Sequence, residues 1–169
     1  MSGALKNIVL IGFMASGKTL AAKMLSKRLN RKLVSTDALI VAQEGRSITQ
    51  IFKEQGEEYF RQKEHAVIQE LAGQTGLIID CGGGLVLNPK NIALLKQNGI
   101  IFHLRTTPEV IFERVKGDPN RPLLNVPDPL GTIRALYAQR LPLYSQADVE
   151  VDSSSSSIEG AVDQILKRM

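Results

Sequence analysis

One cysteine, Cys81, is all the thiol chemistry this chain carries. A lone thiol excludes an internal disulfide and agrees with a reducing compartment. No apolar run reaches the length needed to span a bilayer. Hydrophobic residues make up 43% of the 169, enough for a real core and too ordinary for a membrane protein. The opening Met-Ser-Gly-Ala-Leu-Lys-Asn runs straight into the first expected strand, which leaves no room for a signal peptide and predicts a cytoplasmic location. A basic run or stripe is missing too. The net charge is +4, with lysines and arginines spread among acids, so a nucleic-acid partner is not expected. The small positive excess suits an anionic small substrate and ATP. There is no internal repeat, and His65 and His103 lack metal-ligand spacing; His103, on an expected strand, reads as structural. A self-contained fold of this size is expected to act as a monomer without a membrane partner.

What the chain does have is a complete phosphate-binding loop. Gly12-Phe13-Met14-Ala15-Ser16-Gly17-Lys18-Thr19 matches the pattern G-x-x-x-x-G-K-[ST]. The glycines let backbone wrap an anion, and successive N–H groups form a nest for phosphate oxygens. Lys18 brings a point charge to the β- and γ-phosphates, and the Thr19 hydroxyl is a ligand for Mg²⁺. Residues 7–11 read as a buried strand. Residues 17–29 read as a helix with Leu20, Ala21, Met24, Leu25 and Leu29 on one face. The loop therefore opens onto a helix N-terminus, where the dipole favours phosphate. Gly12, Ala15, Ser16, Gly17, Lys18, Thr19 and Leu20 are the candidate nucleotide contacts.

Further along, β-branched runs at 32–35, 77–80, 100–104 and 148–151 alternate with helical patterns. This predicts an α/β fold, a parallel sheet covered on both faces, in a single domain. The rhythm breaks at 116–129, a proline-rich stretch of lid-like length. It breaks again at 153–157, five serines that read equally as a connector capping the last helix and as a loop beside a nucleotide base.

Several residues carry chemistry beyond the phosphate loop. Asp37 follows the second strand, where ligands gather in open α/β sheets, and could align and deprotonate an attacking hydroxyl. Taken alone it reads more simply as the N-cap of a helix over 38–44. Gly82, Gly83 and Gly84 follow the third strand and permit close approach of backbone to a ligand. Asp80 ends that strand, placed either to hold the Mg²⁺ hydration shell or as a polar strand end. Cys81 reads as a packed small side chain. Arg61 and Arg140 are each able to fork a carboxylate, although spacing does not show that they converge. Arg121 lies in the lid-like stretch, able to reach transferring phosphate. Phe52, Tyr59 and Phe60 fit an apolar helical stripe.

Taken in order, GFMASGK, STD, SITQIFKEQGEEYFRQKE, CGGG, NRPLL and RLPLYSQAD resemble shikimate kinase, from Asn7 to about Asp152. The resemblance implies a P-loop, nucleoside monophosphate kinase-like fold: a three-layer αβα sandwich around a five-stranded parallel sheet. It implies one kinase domain over 1–169, with an acceptor-binding helical segment at about 36–65 and a lid at about 116–129. It implies transfer of the ATP γ-phosphate to the 3-hydroxyl of shikimate, with Mg²⁺, on the route to chorismate and aromatic amino acids. By motif match, Asp37 meets the shikimate hydroxyls, Arg61 and Arg140 clamp its carboxylate, Gly82–Gly84 offer backbone contacts, and Phe60 lies nearby. Arg121 becomes the lid arginine; Arg114 flanks adenine, with the loop around Ser155 on its other side.

The chain departs from the pattern in places. Ser35 stands where the family often has an aspartate that supports Mg²⁺, and Asp80 stands where it usually has an uncharged residue, so Asp80 is expected to compensate. Ala15 replaces a common glycine, expected to be harmless. Alternative readings are another P-loop small-molecule kinase, of gluconate or nucleoside monophosphate type, and a non-catalytic nucleotide-binding regulatory module. The first would lack the paired Arg61/Arg140 context or need more basic residues for an acceptor phosphate.

Overall fold

The first strand, β1 (Asn7–Ile11), is buried along its whole length, because it sits at the centre of a sheet with strands on both sides. The structure is a computed structural model, described for residues 3–119, 121, 124–155 and 157–169. Its other strands are β2 (Leu33–Ser35), β3 (Ile78–Asp80), β4 (Gly99–Arg105) and β5 (Val149–Asp152). All pairings are parallel, in the order β2-β3-β1-β4-β5. The chain thus leaves β1 toward one side of the sheet and later returns on the other. That reversal opens a crevice at the carboxyl end of β1, the place where such sheets bind ligands.

Alternation along the strands feeds two cores. Ile8, Leu10, Ile78, Phe102, Leu104 and Val151 face α1 (Lys18–Leu29) and α7 (Ile158–Lys167). Val9, Ile11, Ile79 and Ile101 face the other layer, which is built from α3 (Ile48–Ala72), α4 (Pro89–Asn98), α5 (Pro108–Val115) and α6 (Pro129–Tyr144). The expected αβα sandwich with a five-stranded parallel sheet is the observed architecture.

Boundaries differ in ways that bear on the site. The second helix, α2 (Thr36–Glu44), starts ahead of the expected 38–44, and its N-cap is Ser35, whose hydroxyl accepts from the Ala38 N–H. Asp37 is therefore inside the first turn and is not the cap. Helix α3 is broken at Gly56, at φ 86° and ψ 171°, a backbone state that favours glycine. Ser157 caps α7 by accepting from the Gly160 N–H, as the connector reading expects. Of the lid-like stretch, Asn120, Pro122 and Leu123 lie outside the described residues, as does Ser156 of the serine loop.

Candidate active site

Gly17 sets the entry to α1. It is the helix N-cap at φ 94°, and a Cβ there would collide with Ile158 of α7. Inside the loop, Lys18 is buried, and its ammonium donates to the carbonyls of Gly12 and Phe13, each at 2.9 Å. Burial lowers its pKa, while Asp80 and Asp37 nearby oppose that fall. Ser16 is fully buried and Leu20 is exposed. Ala15 holds φ 56°. Left-handed backbone costs a non-glycine residue about 1 kcal/mol, so this replacement of a glycine carries a penalty that its sequence did not reveal.

The neighbouring strands bring acids to the loop. Thr19 donates its hydroxyl to Asp80 Oδ2 at 2.7 Å. Asp80 pairs in register with Ser35 across β2 and β3, so the two positions are immediate lateral neighbours. Burial raises the pKa of the Asp80 carboxyl, with Thr19 and Lys18 opposing. Asp37 is raised as well, by burial first and by the Asp80 charge second, while Lys18 and Arg61 pull it back.

A cavity of about 500 Å³ opens between these groups and helices α3 and α6. Its lining includes Ala15, Lys18, Thr19, Asp37, Phe60, Arg61, Asp80, Gly82, Gly83, Gly84, Arg121 and Arg140. The two arginines left apart by their spacing thus share one wall. Arg61 lies so close to Gly84 that a Cβ there would sit 2.6 Å from Nη1, and Arg140 Nη1 lies 3.9 Å from the Cβ position of Gly83. Each guanidinium also rests on an aromatic face: Arg61 over Phe60 at 5.2 Å, Arg140 over Phe13 at 5.6 Å. Phe60 is core packing and cavity wall at once. Arg121 lines the same cavity and pairs with Asp118 at 3.4 Å. Cys81 is buried, and burial pushes its thiol up, which suits a packed side chain.

Arg114 and Ser155 lie outside this lining. Arg114 donates to the Ala15 carbonyl at 2.7 Å and the Ser153 carbonyl at 2.8 Å, tying the phosphate loop to the serine loop. Ser155 turns inward on Asp152.

Three residues were not singled out from sequence. Glu64 is 1% exposed and holds Arg61 at 2.9 Å, while its Oε2 is buried without a partner among the described residues. Burial raises its carboxyl, with Arg61 opposing. The available signal was an acid three residues after Arg61 on a helix. Thr36 accepts from the Gly82 N–H at 3.0 Å, and Tyr144 donates to the Gly83 carbonyl at 3.0 Å. Neither contact has a local sequence signature.

The whole arrangement pairs a phosphate-binding-loop motif with a polar, arginine-walled cavity. A family model described as shikimate kinase matches residues 14–169. The chain is 45% identical to the shikimate kinase of Pelotomaculum thermopropionicum, over 96% of this chain and 94% of that one. It is also 45% identical to the shikimate kinase of Dehalococcoides mccartyi, over 94% and 90%. Among solved structures, shikimate kinase from Acinetobacter baumannii in complex with shikimate superposes with a TM-score of 0.89 at 34% identity, covering 97% of this chain and 92% of that chain. The Aquifex aeolicus enzyme gives 0.84 at 37%, covering 95% and 94%. With site geometry, family model and near-full-length relatives in agreement, this chain belongs to the shikimate kinase family.

Proposed function

We propose that the cavity between the phosphate loop and the arginine wall is where this chain transfers the γ-phosphoryl group of ATP to the 3-hydroxyl of shikimate, releasing ADP and shikimate 3-phosphate. The observation that carries this reading is the convergence of Arg61 and Arg140 beside Gly83 and Gly84, with Asp37 in the same cavity as Lys18. A substrate with one carboxylate and several hydroxyls complements that inventory. The two guanidiniums would fork the carboxylate. Asp37 would accept a hydrogen bond from the attacking hydroxyl and take its proton as the P–O bond forms. Its carboxyl is raised by burial and by Asp80, which makes it a better base than an ordinary aspartate.

On the donor side, backbone N–H groups of Gly12–Thr19 would cradle phosphate, with Lys18 exchanging its loop carbonyls for phosphate oxygens. Thr19 and Asp80 offer adjacent hard oxygen donors, a set that suits Mg²⁺. When bound, that ion neutralises phosphate charge. Arg121 would close onto the transferring group and exclude water. Arg114 and the loop around Ser155 would flank adenine, and Leu20 would lie at the nucleotide's edge. Phosphoryl transfer demands positioning and charge neutralisation more than covalent chemistry, and these residues provide both.

In this reading residues 1–169 form one kinase domain, with an acceptor segment at about 36–65 and a lid at about 116–129. It works as a monomer in the cytoplasm; among the described residues no helix is long and apolar enough to cross a membrane. Three carboxylates, Asp37, Glu64 and Asp80, line the cavity, which disfavours an acceptor that is itself phosphorylated. The test is ADP release with ATP and Mg²⁺ in the presence of shikimate, gluconate or CMP. Turnover is expected with shikimate alone; turnover with gluconate or CMP and none with shikimate overturns the assignment.

A further inference from the structure

The turn Gly82–Gly84 is fastened from two sides by residues outside the cavity lining. On one side, Thr36, the first residue of α2 and fully buried, accepts from the Gly82 N–H at 3.0 Å. On the other, Tyr144, the last residue of α6 and 1% exposed, donates its hydroxyl to the Gly83 carbonyl at 3.0 Å. The Tyr144 ring is itself fixed, stacked on His103 of β4 with ring centroids 4.6 Å apart and planes at 16°. Its hydroxyl is raised to about 12 by burial, with Arg140 opposing, so it remains a donor throughout the working pH range. Four residues earlier on the same face of α6 stands Arg140, whose Nε is buried without a partner among the described residues.

These contacts bring three elements to one point. The turn that faces the cavity, the helix that carries Arg140 and the helix start that carries Asp37 all meet through two hydrogen bonds. A shift of α6 relative to the turn would move Arg140 away from Gly83. A shift of α2 would move Asp37, whose Oδ1 lies 2.6 Å from the Cβ position of Gly82. Hydrogen bonds to the turn's backbone therefore set the spacing between the carboxylate clamp and the hydroxyl-facing base.

We infer that Tyr144 and Thr36 are positioning residues for the acceptor, holding the Gly82–Gly84 turn in register with Arg140 and Asp37. The inference rests on the acceptor reading above. It assigns these side chains no contact with substrate. A displaced clamp lowers affinity for the acceptor while the phosphate loop, held by its own contacts, keeps its grip on ATP.

The molecule supplies its own control. Tyr137 is another buried tyrosine of α6, and its hydroxyl donates to the Thr106 carbonyl at 2.6 Å, away from the glycine turn. Tyr144→Phe and Tyr137→Phe each delete one hydroxyl, keep the ring and remove one bond to a backbone carbonyl. Steady-state kinetics on the full chain should show Tyr144→Phe raising the shikimate KM about fivefold, the effect of losing one buried hydrogen bond, with the ATP KM within about twofold. Tyr137→Phe should lower the melting temperature comparably and leave both KM values within about twofold. Thr36→Val should reproduce the selective rise in shikimate KM, and Thr36→Ser should restore it, so the test survives if one variant fails to fold. A shikimate KM in Tyr144→Phe or Thr36→Val that matches wild type, or a rise in both KM values together, makes these side chains packing residues and overturns the inference. Absence of shikimate-dependent turnover in the wild type removes the acceptor reading and this inference with it; wild-type turnover with insensitive variants removes the inference alone.

Discussion

Asp80→Asn is the substitution that asks most of the donor site. The carboxylate accepts the Thr19 hydroxyl at 2.7 Å, lies 9% exposed, and has Lys18 and Asp37 as electrostatic neighbours. Asparagine keeps the size and one acceptor oxygen but removes the charge. At an effective dielectric of about 20, one unit charge about 4 Å from another is worth about 4 kcal/mol before competition from water. Residues that orient a metal's ligands without owning the site alone change metal affinity about tenfold to a hundredfold. The free Mg²⁺ needed for half-maximal rate should therefore rise about tenfold or more, measured by coupled ADP release in metal-buffered solutions at fixed ATP. A second readout follows from Asp37. The Asp80 charge raises the Asp37 carboxyl, so its removal should let Asp37 ionise at lower pH and move the acid limb of kcat/KM downward. Rescue is the sharpest arm. Ser35 is the register neighbour of Asp80, and its hydroxyl caps α2; aspartate caps as well as serine. Ser35→Asp added to Asp80→Asn should recover most of the Mg²⁺ response. An Mg²⁺ titration of Asp80→Asn superimposable on wild type would refute the reasoning.

Arg61→Ala should raise the shikimate KM about tenfold to a hundredfold while leaving the ATP KM near wild type, because charged hydrogen bonds to a carboxylate are worth about 1.5–3 kcal/mol; equal effects on both KM values would remove Arg61 from the acceptor wall. The same variant strands Glu64, buried and stripped of its partner, and should lose about 3 kcal/mol of unfolding free energy in denaturant titration. Ala15→Gly should gain about 1 kcal/mol by relieving left-handed backbone at φ 56°; a lower denaturation midpoint would show that the loop holds this conformation without strain. His103 is lowered by burial from 6.5 to about 4. Between those values the unfolded chain binds a proton that the folded one refuses, so stability falls as pH drops through that window, by about 3 kcal/mol in all. His103→Phe keeps a ring on Tyr144 and should flatten the melting-temperature profile from pH 6.5 to 4; an unchanged acid limb would contradict the assignment.

How much of this was visible in the sequence depends on how local each feature is. The phosphate loop was legible because strand, loop and helix are contiguous and each fixed letter has its own backbone or charge role. The parallel sheet was legible from alternating apolar runs, and the ends of its strands were off by a residue because pairing decides them. Lys32 and Leu77 still accept ladder-like bonds, from Ile78 and Ile8, although the strands proper begin one residue later. Asp37 looked like a helix cap because aspartate often is one; only the start of α2 at Thr36 hands that task to Ser35 and frees Asp37 for the cavity. Convergence of Arg61 and Arg140 could not be read from spacing, since the long tertiary route through α3, the glycine turn and α6 decides it.

The pair at positions 35 and 80 makes the same point in chemical terms. Read along the chain, a serine at 35 is a missing carboxylate, and only the family resemblance suggests that the aspartate at 80 stands in for it. The β2–β3 register sets these two residues side by side, and the Thr19 hydroxyl turns to the one that carries the charge. The serine gains a task as helix cap that needs an acceptor oxygen and no charge. A carboxylate moved one strand sideways stays within reach of the same threonine, because neighbouring strands lie only about 4.8 Å apart. In this sheet β3 rather than β2 therefore supplies the charge beside Thr19.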